Sequence, residues 1–308
     1  MADTLLAALT ETSAPDFSDY TLWEDNTGPT SGKISVGRLI GLLYRPVCMG
    51  RLTLETGVPV STTDQTGKST LYWTPIDAGY ISLYDGTRWV GFKQAEMSLA
   101  LSGLTADKQY DAFVDWNSGT PQLVLGPAWT NDTTRATGLT TQDGIQVLSG
   151  TVTKRYVGTI RTTGTTTTED SAVKRYVWNY YNQRQRYMDS GFVSDSHAYT
   201  SAAYREWNGG SNSTRLQFVV GVLPAVFQAS LAVNITAGGA QVTTGIGVDS
   251  TTGTSTAFFS PAINTISRLS SSTPGRITAI GYHFLAVLEY GGAGATFTDY
   301  DQFAVVLT

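Results

Sequence analysis

Apolar and polar residues alternate along most of this chain, and the alternation is broken at short intervals by turn formers. Residues 81–92 read ISLYDGTRWVGF, two apolar and aromatic runs flanking Asp85-Gly86. Gly accepts positive φ without steric cost and Asp tolerates it, so the pair predicts a hairpin. From Gly50 to Trp129 similar runs follow one another: RLTLETG, VPVSTTD, TLYWTP, YISLYDG, RWVGF, EMSLALSG, YDAFVDW and QLVLGP. A period of two predicts half-buried strands, and the turn spacing is that of a β-sandwich. Within LSGLTADKQYDAFVDWNSG, Tyr110 follows a turn and opens an alternating strand. That is the arrangement of a tyrosine corner, where the hydroxyl bonds upstream backbone.

Residues 131–182 alternate strands with Thr- and Gly-rich turns. In the last third, AYTSAAYREWNGG, RLQFVVGVLPAVFQASLAVNITAGG and GYHFLAVLEYGGAGATFTDYDQFAVVLT predict three strand groups, with TTGIGVDSTTGTSTAF and SRLSSSTPGR as loops between them. The nearly continuous apolar runs LQFVVGVL and FAVVLT predict strands buried on both faces. The N-terminus differs. DTLLAALT suits one or two helical turns capped by Asp3, Tyr20–Trp23 a short strand and TGPTSG a loop. Ser35 can cap a short helix whose apolar face is Leu39, Ile40, Leu42 and Leu43. About 45 residues are too few to bury a core alone. The expected fold is therefore all-β, with a short N-terminal anchor (1–45) followed by two β-sandwich domains of jelly-roll or fibronectin-like type (46–129 and 130–308).

Composition narrows the role. Charged residues make up only 15% of the chain, and Thr, Ser and Gly carry much of its polarity. The net charge is −5 and no Lys/Arg block occurs, which argues against a nucleic-acid partner. The most basic stretch, KRYVWNYYNQRQRYM at 174–188, mixes Arg with aromatics as single-strand binders do. Arg and Tyr on one face of a paired strand account for it more simply. Cys48 is the single cysteine and is expected to be buried. No apolar run is long enough to span a bilayer as a helix, and no signal peptide is expected from the first residues.

Candidate chemistry is sparse. The histidines, His197 and His283, are 86 residues apart, and no metal-ligand spacing, nucleophile elbow or phosphate loop is present, so neither cofactor nor metal is expected. Carboxylates are the only catalytic material: Asp111 and Asp115 near one strand, Glu169 and Asp170 in one loop, and Glu289, Asp299 and Asp301 near the C-terminus. A glycosidase needs two of them at a set separation. The sequons at Asn131, Asn212 and Asn234 are chance matches in a Thr- and Ser-rich chain.

RLTLETGVPVSTTDQTGKSTLYWTP, followed in order by ISLYDGTRW, LSGLTADKQYDAFV, LGPAWTNDTTRATGLTTQDGIQVLSG, EDSAVKRYVWNYYN and GYHFLAVLEY, resembles tail-fibre and minor structural proteins of tailed bacteriophages and prophages. The resemblance runs over roughly residues 50–290. DFSDYTLWEDNTGPTSGKISVGRLIGLL is similar to the short anchors of phage fibres and spikes. The resemblance implies a virion location and a tail- or head-fibre subunit without enzymatic activity. Trp23, Leu39, Ile40, Leu42 and Leu43 would attach it to a portal, adaptor, tail or capsid protein. Fibres as a class imply a homotrimer that contacts a host surface. A decoration or adaptor protein without host binding is the alternative, and a polysaccharide depolymerase a further one.

If host contact is made far from the anchor, the loop at 204–214 is the candidate. It joins Tyr204, Arg205, Trp207 and Asn208 to Gly and Ser residues, a mixture suited to stacking on a surface glycan and bonding its hydroxyls. The competing reading is a plain hairpin with Trp207 turned into the core.

Overall fold

The structure is a computed structural model and describes residues 20–24, 31–35, 46–210, 215–236, 242–260 and 266–307. Among these residues there is no α-helix, only strands, turns and two single 3-10 turns. The chain is all-β, as the alternation predicts. β1 (Tyr20–Glu24) and β2 (Ser31–Ser35) form an antiparallel pair that takes up part of the expected loop TGPTSG. Trp23 lies in β1, whereas Leu39, Ile40, Leu42, Leu43 and both expected helical segments fall outside the described residues.

The next strands are β3 (Gly50–Thr53), β4 (Gln65–Lys68), β5 (Thr70–Pro75), β6 (Tyr80–Tyr84), β7 (Trp89–Lys93), β8 (Met97–Ala100), β9 (Gln109–Asp115) and β10 (Gln122–Ala128). They continue with β11 (Leu139–Gln142), β12 (Ile145–Leu148), β13 (Thr151–Arg161), β14 (Thr168–Asp170), β15 (Lys174–Arg175) and β16 (Val177–Asn179). The sheet β3-β5-β8 and the hairpin β6-β7 face the sheet β10-β9-β13-β12-β11, with β16 also paired to β13. Between them lies a core that includes Leu52, Trp73, Ile81, Val114, Val157 and Ile160.

Local chemistry explains most of these elements. In the β6-β7 hairpin the Asp85 carboxylate accepts the backbone N–H groups of Thr87 and Arg88, and Gly86 takes a φ of 100°. The Tyr110 hydroxyl accepts the N–H of Thr105 at 2.8 Å, so the tyrosine corner is present. VPVSTTD is not a strand. Pro59 lacks an N–H for a ladder, and its carbonyl instead accepts from the Arg51 guanidinium. QTGK, just beyond, forms β4.

The expected domain break between 129 and 130 falls inside a sheet, because β9 pairs with β13 over seven positions from Lys154↔Asp115 to Arg161↔Gln109. The change of core comes later, after β16. The remaining strands are β17 (Arg186–Asp189), β18 (Val193–Ala198), β19 (Tyr204–Glu206), β20 (Arg215–Val220), β21 (Ala225–Thr236), β22 (Val242–Val248), β23 (Thr256–Ser260), β24 (Ile266–Ile277), β25 (Gly281–Tyr290) and β26 (Thr296–Leu307). The sheet β17-β26-β21-β24, joined by β18, packs against β23-β22-β25-β20, joined by β19. Phe218, Val220, Ile246 and Leu285 come from one side of the shared core, and Phe227, Leu231, Phe297 and Phe303 from the other.

Two expected loops are strands. TTGIGVDSTTGTSTAF supplies β22 and β23, where Gly247 leaves room for the Ser250 carbonyl that a Cβ would strike. SRLSSSTPGR lies within β24, whose place at the sheet edge admits Pro274. The run LQFVVGVLPAVF divides at Gly221–Pro224, where the chain passes from one sheet to the other. Leu216, Phe218, Val219 and Val220 are all buried, in keeping with a strand covered on both faces.

The two sandwiches are not separate bodies. β20 pairs in parallel with β15, β15 with β14, and β14 with β4, so one sheet extends from the second sandwich to the edge of the first.

Candidate functional site

Of the residues chosen for host contact, the structure buries Trp207 and leaves Tyr204, Arg205 and Asn208 partly or fully exposed. Trp207 is 1% exposed and packs edge-on against His197 and Phe297 inside the second core. Its indole therefore offers no face to a sugar and sits in the core, although the segment is not a hairpin, because β19 and β20 both pair with β25 rather than with each other. Arg205 donates to Glu289 Oε1 at 2.6 Å and its guanidinium lies over the Tyr199 ring. Tyr204 is half-buried against Tyr290. Asn208 is exposed in a left-handed conformation with φ 47°, which Asn tolerates. Residues 211–214 lie outside the described set.

The carboxylates sit in structural pairings. Asp111 receives two bonds from Arg135, at 2.6 and 3.2 Å, and a third from Thr159. Asp115 accepts from Thr153, and Glu169 from Ser171 and Lys174. Glu289, fully buried, bonds His197 Nε2 at 2.5 Å as well as Arg205, tying β18 of one sheet to β25 of the other. Asp299 accepts from the Asn234 amide at 2.6 Å, which uses that sequon for a cross-strand bond. His283 is buried between Asp249 and the Ala279 carbonyl. Among the described residues no group of three or more His, Cys, Asp and Glu side chains could hold a metal ion.

A different constellation forms at the seam of the two sandwiches. A small cleft of about 70 Å³ opens there, its apolar lining including Val177, Phe218, Val220, Ile277 and Leu307. Four arginines also line it: Arg51 of β3, Arg175 of β15, Arg184 just before β17 and Arg186 of β17. Two of them share one carboxylate. Arg186 meets Asp170 Oδ2 at 2.5 Å and Arg175 meets Oδ1 at 3.5 Å. Arg175 also donates to the Tyr187 carbonyl. Arg51 is buried and bonds only backbone, the carbonyls of Pro59 and Asn182. Burial, and then the like charges of Arg186 and Arg184, bring its guanidinium down to about 10, with Asp170 opposing. Burial likewise lowers Arg175, against the pull of Asp170 and Asp64.

The polar groups between these cations are already engaged. Asn179 exchanges both amide atoms with the Leu52 backbone, and the Gln183 amide donates to the Asn179 carbonyl. Three of the arginines lie in or beside the basic stretch 174–188, the visible signal in the sequence. Arg51, more than a hundred residues away, gave none, because β3 reaches that place through tertiary contacts, among them the bonds between the Leu52 backbone and the Asn179 side chain.

No family model matches the chain, and no curated protein does. Solved structures similar to it include an insecticidal delta-endotoxin from Bacillus thuringiensis, at 9% identity and a TM-score of 0.24 over 95% of this chain and 59% of that one. An isomalto-dextranase of Arthrobacter globiformis complexed with panose gives 11% and 0.21, over 85% and 39%. An exo-β-1,3-galactanase of Phanerochaete chrysosporium with galactose gives 10% and 0.19, over 84% and 68%. Likenesses this slight carry no argument about what the chain does.

Proposed function

We propose that the chain is a virion structural protein of a tailed phage, a fibre or spike subunit held to the tail or capsid through its N-terminal segment. The resemblance of residues 50–290 and of the N-terminal piece to such proteins motivates the reading. The observation that carries it is the joining of two sandwiches through one continuous sheet, which suits a spacer that must transmit position without bending. The first residues of this body, Pro46 and Val47, are held by a buried cation. The buried guanidinium of Arg155 donates to the carbonyls of Pro46, Val47 and Ser82 and lies over the Tyr181 ring. Purified particles analysed by mass spectrometry should contain the chain in low copy number. A chain lacking residues 1–45 should be missing from them, and normal incorporation of that truncation would refute the anchor.

A decoration or adaptor role is the second reading, favoured by the burial of Trp207 and the engagement of Arg205. Soluble protein added to host cells separates the two. A fibre adsorbs and competes with particles, whereas an adaptor does neither.

A further inference from the structure

We infer that the arginine-rimmed cleft at the seam of the two sandwiches is a docking site for a polypeptide segment that alternates acidic and bulky apolar side chains. The charge is unbalanced: four arginines line the cleft, and the Asp170 carboxylate forms ion pairs with two of them. Arg184 is exposed and, among the described residues, has neither an ion pair nor a hydrogen bond. Like charges held together at a partly dry site repel one another, and an anion relieves the repulsion. Burial first, and then the neighbouring Arg186 and Arg184, lowers Arg51 to about 10.

The floor decides what kind of anion. Val177, Phe218, Val220, Ile277 and Leu307 present hydrocarbon, and the amides of Asn179 and Gln183 are spent on backbone. A saccharide would leave its hydroxyls unmatched over such a floor, at a cost for each. Leu or Ile side chains fill it, while carboxylates on alternate residues reach the guanidinium rim, where Arg pairs with them through two parallel bonds. The partner is therefore a protein, and the site is independent of whether the chain is a fibre or an adaptor.

The test uses the full-length chain and a short, end-blocked, fluorescently labelled peptide of alternating Glu and Leu. Anisotropy should show saturable binding that weakens as salt is raised, since exposed charge pairs are screened. Replacing Glu by Gln in the peptide should weaken binding at least about tenfold, the equivalent of one charge-assisted hydrogen bond. Arg184→Ala should weaken it several-fold and Arg184→Glu further, both with unchanged melting temperature because the side chain is exposed. An unlabelled oligogalacturonate should fail to displace the peptide. No binding, equal binding of the Gln peptide, indifference to both Arg184 variants, or displacement by the uronate would each overturn the assignment.

Discussion

At the scale of single residues, burial decides what each aromatic or acidic side chain can do. Trp207 is enclosed by His197 and Phe297, so Trp207→Ala opens a cavity of indole size. A loss of about 3–5 kcal/mol is expected, measured as a lowered denaturation midpoint with unchanged slope. An unchanged midpoint would return the indole to the surface. Glu96 makes the opposite case of a charge held in place by neighbours. Burial by itself would raise its carboxyl, but hydrogen bonds from Thr56, Thr74 and the Gly57 N–H together outweigh it and hold the group below the ordinary carboxylate range. With the folded value below the unfolded one, the ionised carboxylate stabilises the fold above roughly pH 4.3, the unfolded value. The contribution is lost as pH falls through the lower, folded value. Glu96→Gln should therefore flatten the acid side of the stability-pH curve and leave its slope above neutrality alone. Urea titrations at stepped pH read this directly. Cys48 is buried, and burial pushes its thiol up against the pull of Arg155. It should react with a thiol reagent only as fast as the protein opens, and rapid labelling of the native chain would contradict the enclosed position.

At the scale of elements, what was legible followed from local rules. The β6-β7 hairpin was readable because Asp85 and Gly86 satisfy a turn by themselves, and the corner at Tyr110 because its partner, Thr105, is five residues away. The second is testable. Tyr110→Phe removes the acceptor of the Thr105 N–H, and a loss of about 1–3 kcal/mol is expected, with the strand pairing of β9 intact by amide exchange. Elements made by tertiary pairing were not legible. SRLSSSTPGR has the composition of a loop, yet it becomes part of β24 because all twelve residues of that strand pair with β21. VPVSTTD has the composition of a strand, yet it has no ladder to join. The boundary near 130 was misplaced for the same reason. The sequence pattern changes there to Thr- and Gly-rich turns, while the β9-β13 pairing that spans it joins residues 39 to 52 positions apart. The candidate site shows this most clearly. The arginines of 174–188 were visible, but their convergence with Arg51 over an apolar floor is a product of the whole topology.

At the scale of the molecule, the question is whether two cores behave as one. The joint is polar and largely buried. Arg135 binds Asp111 of the first sandwich twice and donates to the Gly221 carbonyl at 2.7 Å, where the chain leaves β20 of the second, while its guanidinium stacks over Trp129. Gly221 itself has no room for a side chain, since a Cβ there would collide with the Tyr156 hydroxyl and Trp178. Nearby, Tyr176 and Tyr282, one from each half, share the Gln217 side-chain oxygen, and Arg161 lies over the Tyr282 ring 4.0 Å from its centroid. Together with the sheet running from β20 to β4, these contacts make independent unfolding of either half costly, because it would leave the other with a bare strand edge and unpaired buried charge. Calorimetry of the intact chain should give a single cooperative transition for residues 46–307. Arg135→Met strands the Asp111 carboxylate, which is buried, and a loss of about 3–5 kcal/mol is expected. The paired change Asp111→Leu with Arg135→Met removes both charges and should recover most of that loss, the excess over additivity measuring the coupling. In each variant the transition should shift as one, with probes in both cores moving together. If Arg135→Met splits the endotherm in two, the first core melting early and the second at its original temperature, then the shared sheet does not couple the halves and the single rigid body proposed for this chain fails.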